Sequence, residues 1–501
     1  MKKILLITSI FIFSILTSCT KDFEDLNKNP NGTDNMEPDY LFTHALLSGV
    51  SNYNTDVYLH QWGIMNWTMY IATRGGVETG KEYEMPGGID NFWTEQYADN
   101  LGNLQEAMSY WKDNEYFTYK YNIAKIWKVY TYQKMTDLWG AIPYSQALMG
   151  FETGNFQPAY DSQQDIYNSL IDELNAAVTT LSETLESDTL ALANPQFSKF
   201  ENGADPIYDG DVMKWIKFGN SLLFRMAMRI SEVEPAKAQS IVQELQNKPL
   251  IADKTESATF PYNTVTKKNP FAEVIYTGQD AGRNYPSKFF VDLLKEKNDP
   301  RVKVFFTPTP NSVAAGNPNY NGIPNLLAPT SPEWANYPEG EISEVGEYFT
   351  QLDTKGMLLS FSEVLFLKSE AALNGWFEGS ADVYYRQAVK ANIEYFASPN
   401  ISLNEIYNYI TNIPAVDKEN IITQKWISLA FQDGYEAFAE YRRTGFPVLK
   451  NFENQPINVQ NFPNRITYPA TEISYNFNSY QNAVNTQGAD IPATKIWWDV
   501  N

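Results

Sequence analysis

Apolar and aromatic side chains recur at intervals of three and four through long stretches of this chain, a period that commits those stretches to helices buried along one face. In residues 122–140, Ile123, Ile126, Trp127, Tyr130 and Leu138 fall on one stripe; Gly140 supplies a stop, and Pro143 follows just beyond. In residues 211–231, Trp215, Phe218, Leu222, Met226 and Ile230 repeat the pattern behind Asp211, a residue suited to capping a helix N-terminus. Residues 361–376 and 380–396 read as two helices joined by a tight, glycine-containing turn. Residues 421–443 read as one long helix with Trp426, Leu429, Ala430, Ala437 and Tyr441 turned inward. Shorter helices are expected at 88–112, 162–186, 235–247 and 284–297.

The fold expected from this pattern is mainly α. Gly375, Ala381 and Tyr384 stand six and nine apart, as in the tetratricopeptide consensus, although Ala388 arrives one residue late. No fixed period runs through the chain, so irregular tetratricopeptide-like hairpins within a larger domain fit better than a regular solenoid. Between 300 and 350 the helical period gives way to Pro, Gly and Asn. A long irregular stretch inside a compact domain is functional or disordered. The interspersed Trp334, Tyr337 and Tyr348 favour an ordered ligand loop.

The start of the chain is of another kind. Lys2 and Lys3 precede an apolar run from Ile4 to Leu16, the pattern of a secretory signal and too short to span a bilayer. Leu16-Thr17-Ser18-Cys19 then matches the lipobox of bacterial lipoproteins. In that resemblance Cys19, the only cysteine, becomes the lipid-bearing first mature residue; the plainer alternative is a secreted protein with an incidental cysteine. The acidic cluster Asp22, Glu24 and Asp25 resembles a surface-export signal, or else is a solvated tether. The organisation expected is a leader at 1–18, a lipidated tether at 19–37 and one domain over 38–501, with no linker dividing it.

Charge and residue counts narrow the function. Net charge is −22; without Lys2 and Lys3, 36 basic residues face 60 acidic ones, giving −24, which argues against nucleic acid as a partner. With Cys19 used as an anchor no disulfide can form, so packing alone must hold the fold. Only His44 and His60 are available for histidine chemistry, and no phosphate-binding loop, dinucleotide fingerprint, zinc-protease or serine-hydrolase motif occurs. A glycosidase carboxylate pair among the acids leaves no local signature, so it stays open. Asp25, Asn27 and Asn29 have calcium-loop spacing, but Pro30 and Met36 sit where that loop needs Gly and Glu, so no metal and no cofactor is expected.

Several segments taken together resemble the SusD/RagB family, in its SusD-like branch: TDLWGAIPYSQAL (136–148), PAYDSQQDIYNSLIDELNAAV (158–178), GDVMKWIKFGNSLLFRMAMRIS (210–231), NRITYPATEISYN (464–476) and the final TKIWWDV. Ala141 stands where the branch usually has Asp. The resemblance implies a lipid-anchored, cell-surface outer-membrane protein that is not an enzyme. It further implies a fold of tetratricopeptide-like hairpins supporting an irregular, loop-rich ligand-binding half. The partner implied is a SusC-like TonB-dependent transporter, to which the protein delivers a glycan. Peptide or another oligomeric nutrient is the alternative ligand; a surface glycoside hydrolase and a ligand-free scaffold are the alternatives of other classes. Trp139, Pro143, Tyr144, Trp215, Arg225, Arg229, Arg465, Tyr468, Pro469 and Glu472 read as scaffold, with the helical arginines pairing buried carboxylates.

Ligand contacts are expected on loops over that scaffold. Residues 60–76 offer Trp62, Trp67, Tyr70 and Arg74; the irregular region offers Trp334 and Tyr337, with Arg283 and Tyr285 before it. Indole and phenol rings cover the apolar face of a sugar, while Arg, Asn and Asp reach its hydroxyls.

Overall fold

The computed structural model describes residues 37–50, 56–73, 85–187, 200, 203–277, 284–325, 331–396, 398–450 and 462–501. The leader, Cys19, the acidic cluster, Arg74 and Arg283 lie outside these residues. The molecule is mainly helical. Its principal helices are α1 (Pro38–Val50), α2 (Thr118–Trp139), α3 (Gln163–Ser187), α4 (Val212–Arg229), α5 (Phe361–Leu373), α6 (Ala381–Tyr395), α7 (Lys418–Leu429) and α8 (Gly434–Thr444). Among the described residues, no helix is long and apolar enough to cross a membrane.

Helix α2 is the axis of the scaffold. It packs against α3, which packs against α4; α4 meets α5, and α5 carries both α6 and α7. The expected stripe of α2 is buried, but so are Asn122, Gln133 and Asp137 on its other faces. Asp137 is accommodated because it accepts hydrogen bonds from Tyr167 Oη (2.5 Å), Trp498 Nε1 (2.8 Å) and Gln133 Nε2 (2.6 Å). Gly140 ends α2 at φ 81°, and a β-carbon there would stand 2.0 Å from Gln487 Oε1. That same oxygen accepts from the Ala141 amide at 2.6 Å, so the absent side chain makes room for a contact with the C-terminal region. The neighbouring scaffold motifs close the corner: Trp139 Nε1 donates to the Thr467 carbonyl, and Tyr468 Oη to that of Ala141.

Asp211 caps α4 by accepting from the Lys214 amide at 3.1 Å. α5 and α6 form the expected hairpin, with Gly375 at φ 73° beyond the end of α5 and Ser380 capping α6. Two expectations are corrected. Residues 421–443 are not one helix: α7 ends at Leu429, Phe431 turns at φ 61°, and Asp433 caps α8 by accepting from the Glu436 amide. Trp426, Leu429, Ala430, Ala437 and Tyr441 are all buried, so the inward stripe survives the break. Residues 284–297 open as a strand, Asn284–Pro286, before the helix Lys288–Glu296. The 88–112 helix exists, with a π-helical middle at Glu95–Gly102.

The hairpins are joined by charges as well as by apolar packing. Arg225 forks onto Glu363 (2.7 and 2.8 Å); Arg229 reaches Glu436 and Glu440, both at 2.5 Å. Lys425 lies 2.9 Å from Glu436, and Arg443 pairs with Glu370 and Glu440 at 2.8 Å. These four cations and four carboxylates are at most 3% exposed and tie α4, α5, α7 and α8 together. Burial alone would raise the Glu436 carboxyl, but Arg229, Lys425 and Arg225 outweigh it and hold it down to about 2. Such a network stands because every charge in it is matched.

Candidate functional site

The two stretches singled out for ligand binding meet in space. Strand Ile71–Thr73 pairs antiparallel with strand Asn284–Pro286, Ala72 opposite Tyr285. Ser287 N donates to the Tyr70 carbonyl (3.1 Å), Ile323 N to that of Pro286 (3.0 Å), and Lys288 N to that of Ile323 (2.7 Å). Segments far apart in the chain therefore form one small platform. Gly322 permits the third segment to come this close, since a β-carbon there would stand 2.6 Å from the Ser287 carbonyl. Asn325 fastens it: its amide donates to Asn66 Oδ1 (2.7 Å) and to the Ile71 carbonyl (2.6 Å), while its oxygen accepts from Ser287 Oγ.

On the platform, Ala72, Ile323 and Ile342 form a buried cluster separate from the main core. Tyr285, Trp334 and Tyr337 pack around it, each half-buried. Trp334 and Tyr337 lie edge to face, with centroids 6.4 Å apart and planes at 75°. Trp334 sits on a short turn, Pro332–Asn336, capped by Ser331 through the Glu333 amide, and Tyr337 directly follows it. The Tyr337 hydroxyl titrates above its ordinary value because of burial, with Lys288 pulling it down and Asp292 pushing it up. Next to the cluster, Pro324 and Asn325 help line an open groove of 390 Å³ together with Lys288, Phe289 and Asp292. A half-exposed aromatic trio beside a polar groove offers flat apolar faces and hydrogen-bonding side chains within one surface, and no general acid is needed for it to hold a polyol.

The remaining candidates are placed differently. Trp67 is only 5% exposed and packs on Phe438; Tyr70 is fully buried, stacks on Trp426 at 4.3 Å and donates to the Trp426 carbonyl at 2.5 Å. Their ring faces are committed to the core, and the expectation that they contact ligand is corrected on that ground. Trp62 is half-buried, edge to face with Tyr58 at 5.0 Å. Its indole nitrogen is buried without a hydrogen-bond partner. Arg74 and Arg283 flank the two paired strands in sequence but lie outside the described residues. Residues not foreseen are Ile323, Asn325, Ile342, Lys288, Asp292 and Asn284. The Asn284 amide is buried with neither atom hydrogen-bonded, beside Tyr285. No single-sequence signal marks these, because the pairing of 71–73 with 284–286 and the return of 323 are contacts between distant segments.

A family model described as starch-binding associating with outer membrane matches residues 30–469. The chain belongs to the SusD-like family. A chitin-binding protein of known structure is similar to this SusD-like chain at 27% identity and TM-score 0.79, over 93% of this chain and 100% of that one. A chitin-binding SusD homolog from Flavobacterium johnsoniae aligns at 24% identity and TM-score 0.74 over 92% and 98% of the two chains. A SusD homolog from Bacteroides uniformis aligns at 24% and 0.74 over 93% and 100%. The latter two likenesses show the shared fold. No curated relative matches the chain.

Proposed function

We propose that this SusD-like protein is a glycan-binding lipoprotein, held on the outer face of the outer membrane by lipid on Cys19, that presents oligosaccharide to a SusC-like TonB-dependent transporter and does not itself cleave it. Family membership supports the class of activity, and the 27%-identical relative described as chitin-binding supports a glycan as the ligand. The observation that carries the reading is the half-exposed trio Tyr285, Trp334 and Tyr337 on its platform, bordered by a groove with amide and charged side chains. In this reading Trp334 and Tyr337 stack on sugar rings, while Lys288 and Asp292 face hydroxyls. The anchor follows from the Leu16–Cys19 motif. Acyl chains contribute about 0.8 kcal/mol per buried methylene, so several chains retain the protein firmly.

The test is a binding screen of protein beginning at Thr20 against starch, chitin oligosaccharides and peptides. Glycan binding lost in Trp334→Ala supports the reading. Binding of peptide alone, or product release that disappears on changing one carboxylate, contradicts it. Co-purification of the lipidated protein with an outer-membrane barrel tests the partner, and mass spectrometry of the N-terminal peptide tests the lipid.

A further inference from the structure

Helix Lys288–Glu296 has a cleft on either side of it. The first is the 390 Å³ groove beside the aromatic trio; the second, of 690 Å³, opens towards the end of the helix. Lys297 lines both. It is half-buried, lies where the two clefts meet and makes no ion pair among the described residues.

The second cleft repeats the chemistry of the first. Tyr320 is half-buried in its wall, and burial raises its hydroxyl above its ordinary value. It is fixed at the helix end, because Lys295 Nζ donates to its carbonyl at 2.8 Å. Around it stand the exposed side chains of Asn298, Asn319 and Asn408, none hydrogen-bonded to another described residue. Asn408 is carried by helix Leu403–Asn412, which is held in place by Tyr409 donating to Asp299 (2.7 Å) and by Lys303 pairing with Glu405 (2.5 Å). An amide carries both donors and an acceptor, which suits sugar hydroxyls and acetamido groups, and a tyrosine face suits a pyranose ring. Along the helix, Lys288, which influences Tyr337, and Lys295, which holds Tyr320, are seven residues apart, about 10 Å at the rise of an α-helix.

We propose that the two clefts form one continuous track, in which a glycan longer than a disaccharide lies on the trio at one end, passes Lys297 where the clefts meet and is held by Tyr320, Asn298, Asn319 and Asn408 at the other. The inference rests on the glycan-binding reading above and adds to it a preference for chain length. A second cleft engaged by the same molecule acts at high effective concentration and tightens binding without a new binding partner.

Calorimetric titration with chitin and malto-oligosaccharides, each from dimer to octamer, tests it. For the series that binds, wild-type affinity rises by roughly tenfold or more from the shortest to the longest oligomer. Tyr320→Ala and, separately, the surface change Asn408→Ala abolish most of that rise and leave the shortest binding oligomer unaffected. Affinity independent of length, or a rise that both variants retain, overturns the track while leaving glycan binding intact. Absence of binding to either series overturns the track and the reading beneath it together.

Discussion

Replacing Arg229 with Met removes one cation from the buried network while keeping most of the side chain's apolar stem. The guanidinium is fully buried, 2.5 Å from Glu436 and from Glu440, and 3.4 Å from Asp137. Glu436 keeps Lys425 at 2.9 Å, and Glu440 keeps Arg443 at 2.8 Å, so the carboxylates are not left wholly bare. Breaking a buried pair from one side costs about 3–5 kcal/mol, and the surviving partners place this change near the lower bound. Arg229 is the first of the three cations that hold the Glu436 carboxyl down to about 2, ahead of Lys425 and Arg225. The sign of the pH dependence follows. A carboxyl depressed in the folded state adds stability above its unfolded value and loses it as pH falls from about 4.5 towards 2. In Arg229→Met the folded carboxyl moves back up, so the deficit is largest at neutral pH and shrinks on acidification. Urea unfolding followed by far-ultraviolet circular dichroism between neutral and acid pH measures both effects. A variant as stable as the wild type at neutral pH, or one whose deficit grows on acidification, refutes the reasoning.

Asp499 makes the opposite case. Burial pushes its carboxyl up to about 6 against the pull of Arg442 and Lys495, and one of its oxygens has no hydrogen-bond partner. A raised carboxyl costs stability as pH rises between about 4 and 6, so Asp499→Asn should stabilise by about 1–3 kcal/mol at neutral pH and by little at pH near 4, as read by denaturant unfolding. Tyr70→Phe strands the Trp426 carbonyl and should cost about 1–2 kcal/mol of stability without changing oligosaccharide affinity, a split that denaturation and calorimetry together reveal.

What was legible in the sequence tracks local interactions. Asp211, Gly140 and Gly375 set helix ends through local backbone geometry, so the ends of α2, α4 and α5 could be read from residue type, although the fit of Gln487 against Gly140 could not. The break between α7 and α8 had its signal in Asp433-Gly434, but the continuous inward stripe outweighed it; Phe431 takes a positive φ that few non-glycine residues adopt. Arg225 and Arg229 were read as pairing buried carboxylates, whereas their partners on α5 and α8 could not be named from the sequence. The candidate site was legible by half. Trp334 and Tyr337 stood out as aromatics in irregular polar sequence, and Tyr285 as one just before it. Trp67 and Tyr70 looked the same by composition, and only the packing of Phe438 and Trp426 against them separates core from surface.

The central claim is that a half-exposed aromatic trio on a helical scaffold captures glycan. Calorimetric titration of Trp334→Ala with the oligosaccharide that the wild type binds, alongside its melting curve, tests this most directly. The account predicts at least a tenfold loss of affinity, about 1.4 kcal/mol, with unchanged melting. Full affinity in a normally folded Trp334→Ala contradicts it.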